Sequence, residues 1–245
     1  MIGTGPMKRK IVVVLFIVLA VALCAVLIAG ISKCAADKKK EEEKAALVKA
    51  YTENKLAAYA AENAAGRGLE VVFLGDSLTD GCDLKKYYAG YSVSNRGIGG
   101  DTTSGLIDRL AVSAYDAHPQ VIVLLIGGND VLGGRSVEEI CKNYETILKG
   151  LREHLPETEI VWCSQTVLGN KWAKHNKTVI ECNQRIRTLA ETYGCRFVDL
   201  YTPLRDPDTG EIFEEYTVEG VHLTDKGYEI VSAAIKEQLF ERLGH

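Results

Sequence analysis

Two short runs, residues 69–74 and 121–126, set the strongest limit on the fold. The second is six apolar side chains in a row, and the first is interrupted only by Glu70. A strand with one wet face alternates apolar and polar residues, whereas a strand that stays apolar needs cover on both faces. Each run is followed by a glycine, Gly75 and Gly127. Residues 91–94, 159–163 and 196–198 read as further short strands. Helical patterns lie between them. Leu106, Ile107, Leu110 and Tyr115 follow capping residues at 101–104, and a Ser136/Glu139 capping box precedes Ile140, Tyr144, Ile147 and Leu151. Residues 171–193 and 225–242 read as two more helices. This alternation predicts an α/β domain with a parallel sheet, helices on both faces and right-handed crossovers.

The N-terminus has a different character. Residues 11–31 are 21 residues without a charge, preceded by Lys8-Arg9-Lys10. As a helix the run rises about 30 Å, enough to cross a bilayer core. It is longer than the roughly 7–15 apolar residues of a cleavable signal. A transmembrane signal anchor is expected over 11–31, with 1–10 as a cytoplasmic basic flank. Ala29 and Gly30 leave a cleaved signal, and a secreted protein, as the alternative. Residues 32–68, rich in Ala, Lys and Glu, are expected to form a helical stalk or linker, and 69–245 the folded domain, placed outside the cytoplasm.

The formal charge of −4 is unevenly spread, since 71–245 holds 18 basic and 26 acidic residues, a net −8. That argues against nucleic acid as the main partner, because phosphate neutralisation needs a basic footprint. Seven cysteines, six of them beyond the apolar run, permit disulfides in an oxidising compartment. No C-x-x-C pair supports a redox or zinc site, and no histidine cluster supports a catalytic metal.

In open α/β sheets, sites lie at the carboxyl ends of strands. Three polar or glycine-rich clusters follow the predicted strands: Gly75-Asp76-Ser77-Leu78-Thr79-Asp80-Gly81, Asn95-Arg96-Gly97-Ile98-Gly99-Gly100-Asp101-Thr102, and Gly127-Gly128-Asn129-Asp130. A fourth, Glu219-Gly220-Val221-His222-Leu223, comes late in the chain. Together they could assemble an acyl-transfer site. A serine hydroxyl attacks a carbonyl only when a base takes its proton, and an imidazole suits that task. Ser77 and His222 are the candidate pair. The base needs an orienting carboxylate on its other nitrogen, and Glu219 lies three residues upstream of His222. Asn129 and the backbone N–H groups of Ser77 and Gly100 are the candidate oxyanion donors. Asp76 and Asp130 read as carboxylates that hold loops by accepting N–H groups.

These residues also carry a resemblance. Gly75-Asp76-Ser77-Leu78 looks like the opening block of the SGNH/GDSL-type hydrolases, and the clusters at Gly100, Asn129 and His222 resemble the blocks that follow. The resemblance covers roughly residues 69–242. It implies a three-layer α/β/α flavodoxin-like domain. It also implies a serine nucleophile at Ser77, oxyanion roles for Gly100 and Asn129, and a catalytic base at His222. No cofactor is implied. The implied activity is hydrolysis of esters and thioesters of lipids, sugars and small acyl compounds.

One position departs from the family pattern, which has Asp three residues before the His where this chain has Glu219. Two arrangements compete, a Ser77–His222–Glu219 triad and a Ser–His dyad whose imidazole is oriented by a backbone carbonyl. Asp206 and Asp225 are weaker stand-ins for the carboxylate. The leading expectation is a serine esterase removing O-acyl or O-acetyl groups from extracytoplasmic carbohydrate. A lysophospholipase-like lipid ester hydrolase is the alternative, and an O-acyltransferase or an idle glycan-binding domain a further one. The expected partners are a small-molecule, glycan or lipid ester substrate and the membrane through the N-terminal helix, with no nucleic acid. Trp162, Trp172, Tyr87 and Tyr88 are candidate pocket aromatics.

Overall fold

The structure, a computed structural model, describes the backbone over residues 6–66 and 68–243, and side chains over 33–66 and 68–239. Five parallel strands form one sheet: β1 Val71–Gly75, β2 Val93–Gly97, β3 Val121–Leu125, β4 Glu159–Cys163 and β5 Arg196–Val198. Their order is β2-β1-β3-β4-β5. In register, Val71 of β1 lies beside Val93 of β2 and Val121 of β3. Helices follow the strands: α1 Pro6–Ala64 ahead of the sheet, then α2 Ser77–Asp80, α3 Leu84–Tyr87, α4 Thr103–Ser113, α5 Gly128–Leu132, α6 Val137–His154, α7 Asn176–Thr192, α8 Tyr201–Leu204 and α9 Asp225–Leu243.

The apolar runs divide between two cores as strand alternation requires. Val72, Leu74, Ile122 and Leu124 pack with α4, α6 and α7 on one face. Val71, Phe73, Val121 and Val123 pack with α3 and α9 on the other. All of β1 and β3 is buried, which is why neither strand carries an internal polar residue. This is the three-layer α/β/α arrangement with a parallel sheet. Ser136 and Glu139 form the expected capping box at the start of α6. Residues 171–193 are not one helix. A 3₁₀ turn, Asn170–His175, precedes α7. None of Cys34, Cys82, Cys141, Cys163, Cys182 and Cys195 is disulfide-bonded.

The membrane expectations are corrected. Among the described residues no helix is long and apolar enough to cross a membrane. From residue 33 onward, charges recur at Lys33, Asp37 and 38–44, so no long window stays apolar. The run 11–31 belongs to the part of α1 whose side chains lie outside the described residues. Among the described residues there is thus no single-pass anchor, no membrane partner acting through an N-terminal helix and no membrane location resting on that anchor.

The solvated stalk is corrected too. The chain divides into two compact units, residues 1–53 and 54–245. The end of α1 lies in the second unit and packs as part of the domain. Tyr59 is buried and donates to Gly97 O at 2.8 Å. Glu62 accepts from the fully buried Arg96 at 2.7 Å, and Asn63 Oδ1 accepts from the same guanidinium at 2.9 Å. An arginine without solvent needs such partners. Glu62 and Asn63 read as stalk residues in the sequence because their partner Arg96 lies more than 30 residues away.

Candidate active site

The chain passes from β2 on one side of β1 to β3 on the other, so a crevice opens at the carboxyl ends of β1 and β3. Asp76 follows β1 and caps α2, accepting from Leu78 N at 3.1 Å. Ser77 is therefore the first helical residue, at the mouth of the crevice. Its N–H and that of Gly100 have no acceptor among the described residues. Asn129 follows β3, and its amide donates one hydrogen to Asp101 O at 2.8 Å. That bond joins the Asn129 side chain to the residue next to Gly100 and leaves its second N–H unused. Gly100 has φ +79, and a Cβ there would meet nothing within 4 Å. The backbone turn, not lack of room, calls for glycine at this position.

His222 comes from the loop before α9. Its Nε2 lies 3.0 Å from Ser77 Oγ. Its Nδ1 is hydrogen-bonded to Glu219 Oε1, which also accepts from the His222 backbone N–H at 3.3 Å. A neutral ring satisfies both neighbours with its proton on Nδ1 and Nε2 free to accept from the serine hydroxyl. Glu219 and His222 share a tight loop. Thr217 Oγ1 donates to His222 O at 2.9 Å and accepts from Gly220 N at 2.8 Å. Gly220 has φ +94, and a Cβ there would fall 2.3 Å from Gly169 O, so this loop docks on the segment after β4 only through glycine. Asp225 instead pairs with Lys86 and Tyr87, and Asp206 holds the turn at Asp208 and Thr209.

Beside Ser77 is a mainly apolar cavity of about 30 Å³, walled by Leu125, Leu132, Leu168, Val179, Val221 and Gln165 among others. Among the expected aromatics, Trp162 and Tyr88 are buried in the two cores and do not line it.

Two supports, at Arg109 and Tyr144, were not read from the sequence, and a third, Asp130, is the loop-holding carboxylate expected there. Buried Arg109 donates to Asp101 Oδ2 at 2.7 Å, Arg96 O at 2.9 Å and Gly75 O at 3.0 Å, tying the ends of β1 and β2 to the Gly100 loop. Asp130 accepts from Thr103 N and Oγ1, both at 2.8 Å, joining the loops after β2 and β3. Tyr144 donates to Ile126 O and accepts from Gln165, packing a polar pair against Gly127. These links span from 8 to 34 residues, and no local motif marks such pairs.

Burial pushes the Asp76 carboxyl up to about 7, helped by Asp101 and Asp130 and opposed by the Leu78 N–H and by His222. An acid held neutral in the fold and ionised in the unfolded chain lowers stability as pH rises. The loss starts near the unfolded value of 3.8 and is complete above about 7. Asp76→Asn keeps the acceptor for Leu78 and removes the titration. Denaturant unfolding is expected to show the wild type losing on the order of 4 kcal/mol relative to this variant between pH 4 and pH 8. A pH-independent difference would exclude this origin.

Comparison with known proteins agrees with this geometry. The profile of the GDSL-like Lipase/Acylhydrolase family matches residues 73–230. No curated protein matches significantly. A solved structure described as a platelet activating factor from Streptococcus pneumonia is similar at 27% identity and TM-score 0.75, covering 81% of this chain and 97% of its own. A GDSL-like lipase from Bacteroides thetaiotaomicron has 24% identity and TM-score 0.68, covering 76% and 97%. An acetylxylan esterase from Geobacillus stearothermophilus has 19% identity and TM-score 0.60, covering 70% and 94%. These last two likenesses concern the fold. With its profile match spanning the strand-end clusters, the chain belongs to the GDSL-like lipase/acylhydrolase family and is a serine hydrolase of carboxylic esters.

Proposed function

We propose that Ser77, His222 and Glu219 act as a triad that removes a short acyl group, of acetyl size, from a hydrophilic alcohol such as a sugar. The observation that carries the triad is His222 lying between Ser77 and Glu219. His222 Nε2 takes the Ser77 proton as Oγ attacks the ester carbonyl. The oxyanion is received by the second Asn129 N–H and by the Ser77 and Gly100 N–H groups. The tetrahedral adduct collapses to an acyl-serine, and His222 returns the proton to the departing alcohol. Water then repeats the sequence and releases the acid. Glu219 holds the ring and stabilises the imidazolium in both halves.

The cavity volume supports the short acyl group. The space beside Ser77 is small, about 30 Å³, and suits an acetyl group better than a long chain. The alcohol side is wet, with the His222 and Glu219 side chains 50% and 43% exposed. That suits a hydrophilic leaving group better than a lipid. The test is a series of p-nitrophenyl acetate, butyrate and octanoate with a lysophospholipid, using Ser77→Ala as the blank. Acetate is expected to exceed octanoate in kcat/KM by about tenfold or more, since placing a chain without a pocket forfeits several methylene burials. Preference for octanoate or the lysophospholipid would overturn the short-acyl reading.

A further inference from the structure

A second cavity, of about 640 Å³, lies at the carboxyl ends of β4 and β5. Ser164, which follows β4, and Asp199, which follows β5, are in its wall, with Asn176 and Asn183 of α7. The same asparagines hold the wall of the Ser77 cavity. Asn183 bonds both the N–H and the C=O of Gln165, and Asn176 does the same for Leu168. The two cavities are thus neighbours across the segment after β4, and the larger one is lined by none of Ser77, Gly100, Asn129, Glu219 and His222.

Its lining runs against the charge of the domain. Within a region of net −8, it presents two arginines, Arg187 and Arg205, against one carboxylate, Asp199. Asp199 is already committed. Its oxygens accept from Tyr201 N at 2.9 Å, Thr202 N at 3.1 Å and Thr202 Oγ1 at 2.7 Å, which fixes the start of α8. Neither guanidinium is in an ion pair or hydrogen bond among the described residues. Arg187 is held over the Phe197 ring at 4.2 Å, an arrangement that leaves its N–H fork free. Arg205 lies beside Tyr201, whose hydroxyl also has no partner among the described residues, and whose titration feels the arginine charge.

Two solvent-exposed, unpaired planar forks and a free phenol on one open groove match an oxyanion. We propose that this cavity is an anion site that binds the carboxylate or phosphate group of a small organic molecule between Arg187 and Arg205, with Tyr201 donating a further hydrogen bond. The anion has two possible sources, the alcohol part of the ester itself or a free metabolite, and they share the same chemistry.

The first arm of the test is calorimetric titration of the full chain with inorganic phosphate, which does not depend on the esterase reading. Arg187→Gln combined with Arg205→Gln is expected to weaken phosphate binding at least about tenfold, the scale of one lost charge-assisted hydrogen bond. Arg205→Lys is expected to fall between, because it keeps the charge and loses the fork. Absence of phosphate binding, or equal affinity in the double variant with an unchanged melting temperature, overturns the proposal. The second arm compares KM for 4-acetoxybenzoate and phenyl acetate. A rise for the carboxylated ester alone in the double variant assigns the anion to the substrate. Unchanged KM for both esters, with phosphate binding lost, assigns it to a free anion. Hydrolysis of neither ester would fail the esterase reading while the phosphate result stands by itself.

Discussion

Ser77→Ala is expected to lower kcat for a short ester by roughly 10⁴-fold or more, with little change in KM. The asymmetry follows from geometry. In the proposed mechanism the hydroxyl at 3.0 Å from His222 Nε2 supplies the nucleophile, while the cavity walls proposed to receive the acyl group are untouched. His222→Ala should cost about as much, and the double variant little more than either, because the groups act as a unit. Glu219→Gln separates triad from dyad. A buried carboxylate in this role contributes about 10⁴-fold. Glu219 is 43% exposed, so solvent shares the work of stabilising the imidazolium, and a loss of roughly 10²-fold is expected. Activity within about threefold of wild type in Glu219→Gln would leave His222 oriented by something else.

Arg109→Met is expected to be the most damaging single change to stability. The guanidinium is nearly solvent-free and connects Asp101, the Arg96 carbonyl and the Gly75 carbonyl. Its removal leaves the Asp101 carboxylate, only 10% exposed, without its cation. Breaking a buried pair from one side costs about 3–5 kcal/mol. Adding Asp101→Asn should recover part of that loss, since the stranded charge is then gone. Burial already raises the Asp101 carboxyl despite Arg109 beside it, so the stranded acid would protonate more readily and limit the damage at low pH. Denaturant unfolding of the two single variants and the double checks this. A loss below about 1 kcal/mol for Arg109→Met would mean that water replaces the cross-link at little cost.

The sheet was legible in the sequence because its signal is local. Residues 121–126 are apolar without a break, and only a strand covered on both faces explains that run. The clusters at Ser77, Gly100, Asn129 and His222 were legible because they sit where such strands end, and the structure brings Ser77, Glu219 and His222 together directly. Arg109, Thr103, Tyr144 and Gln165 were not legible. Most of their partners lie far along the chain, and a helix-borne arginine carries no local mark of being buried. The end of α1 was misread for a related reason. Lys55, Glu62 and Asn63 look like solvated helix residues until Asp80 and Arg96 are placed against them. Residues 170–175 form a 3₁₀ turn where a helix was expected, and Asn170 opens it at φ +54 with its N–H held by Glu211 at 2.7 Å, 41 residues away.

The most direct test of the central claim is covalent labelling by a fluorophosphonate, read by mass spectrometry of the modified peptide. The phosphonyl group should appear on Ser77 alone. Its rate of attachment should fall by roughly 10³-fold or more in His222→Ala, because the hydroxyl then lacks its base. Labelling at another residue, no labelling of the folded protein, or a rate indifferent to His222 would contradict the assignment of Ser77 as the activated nucleophile.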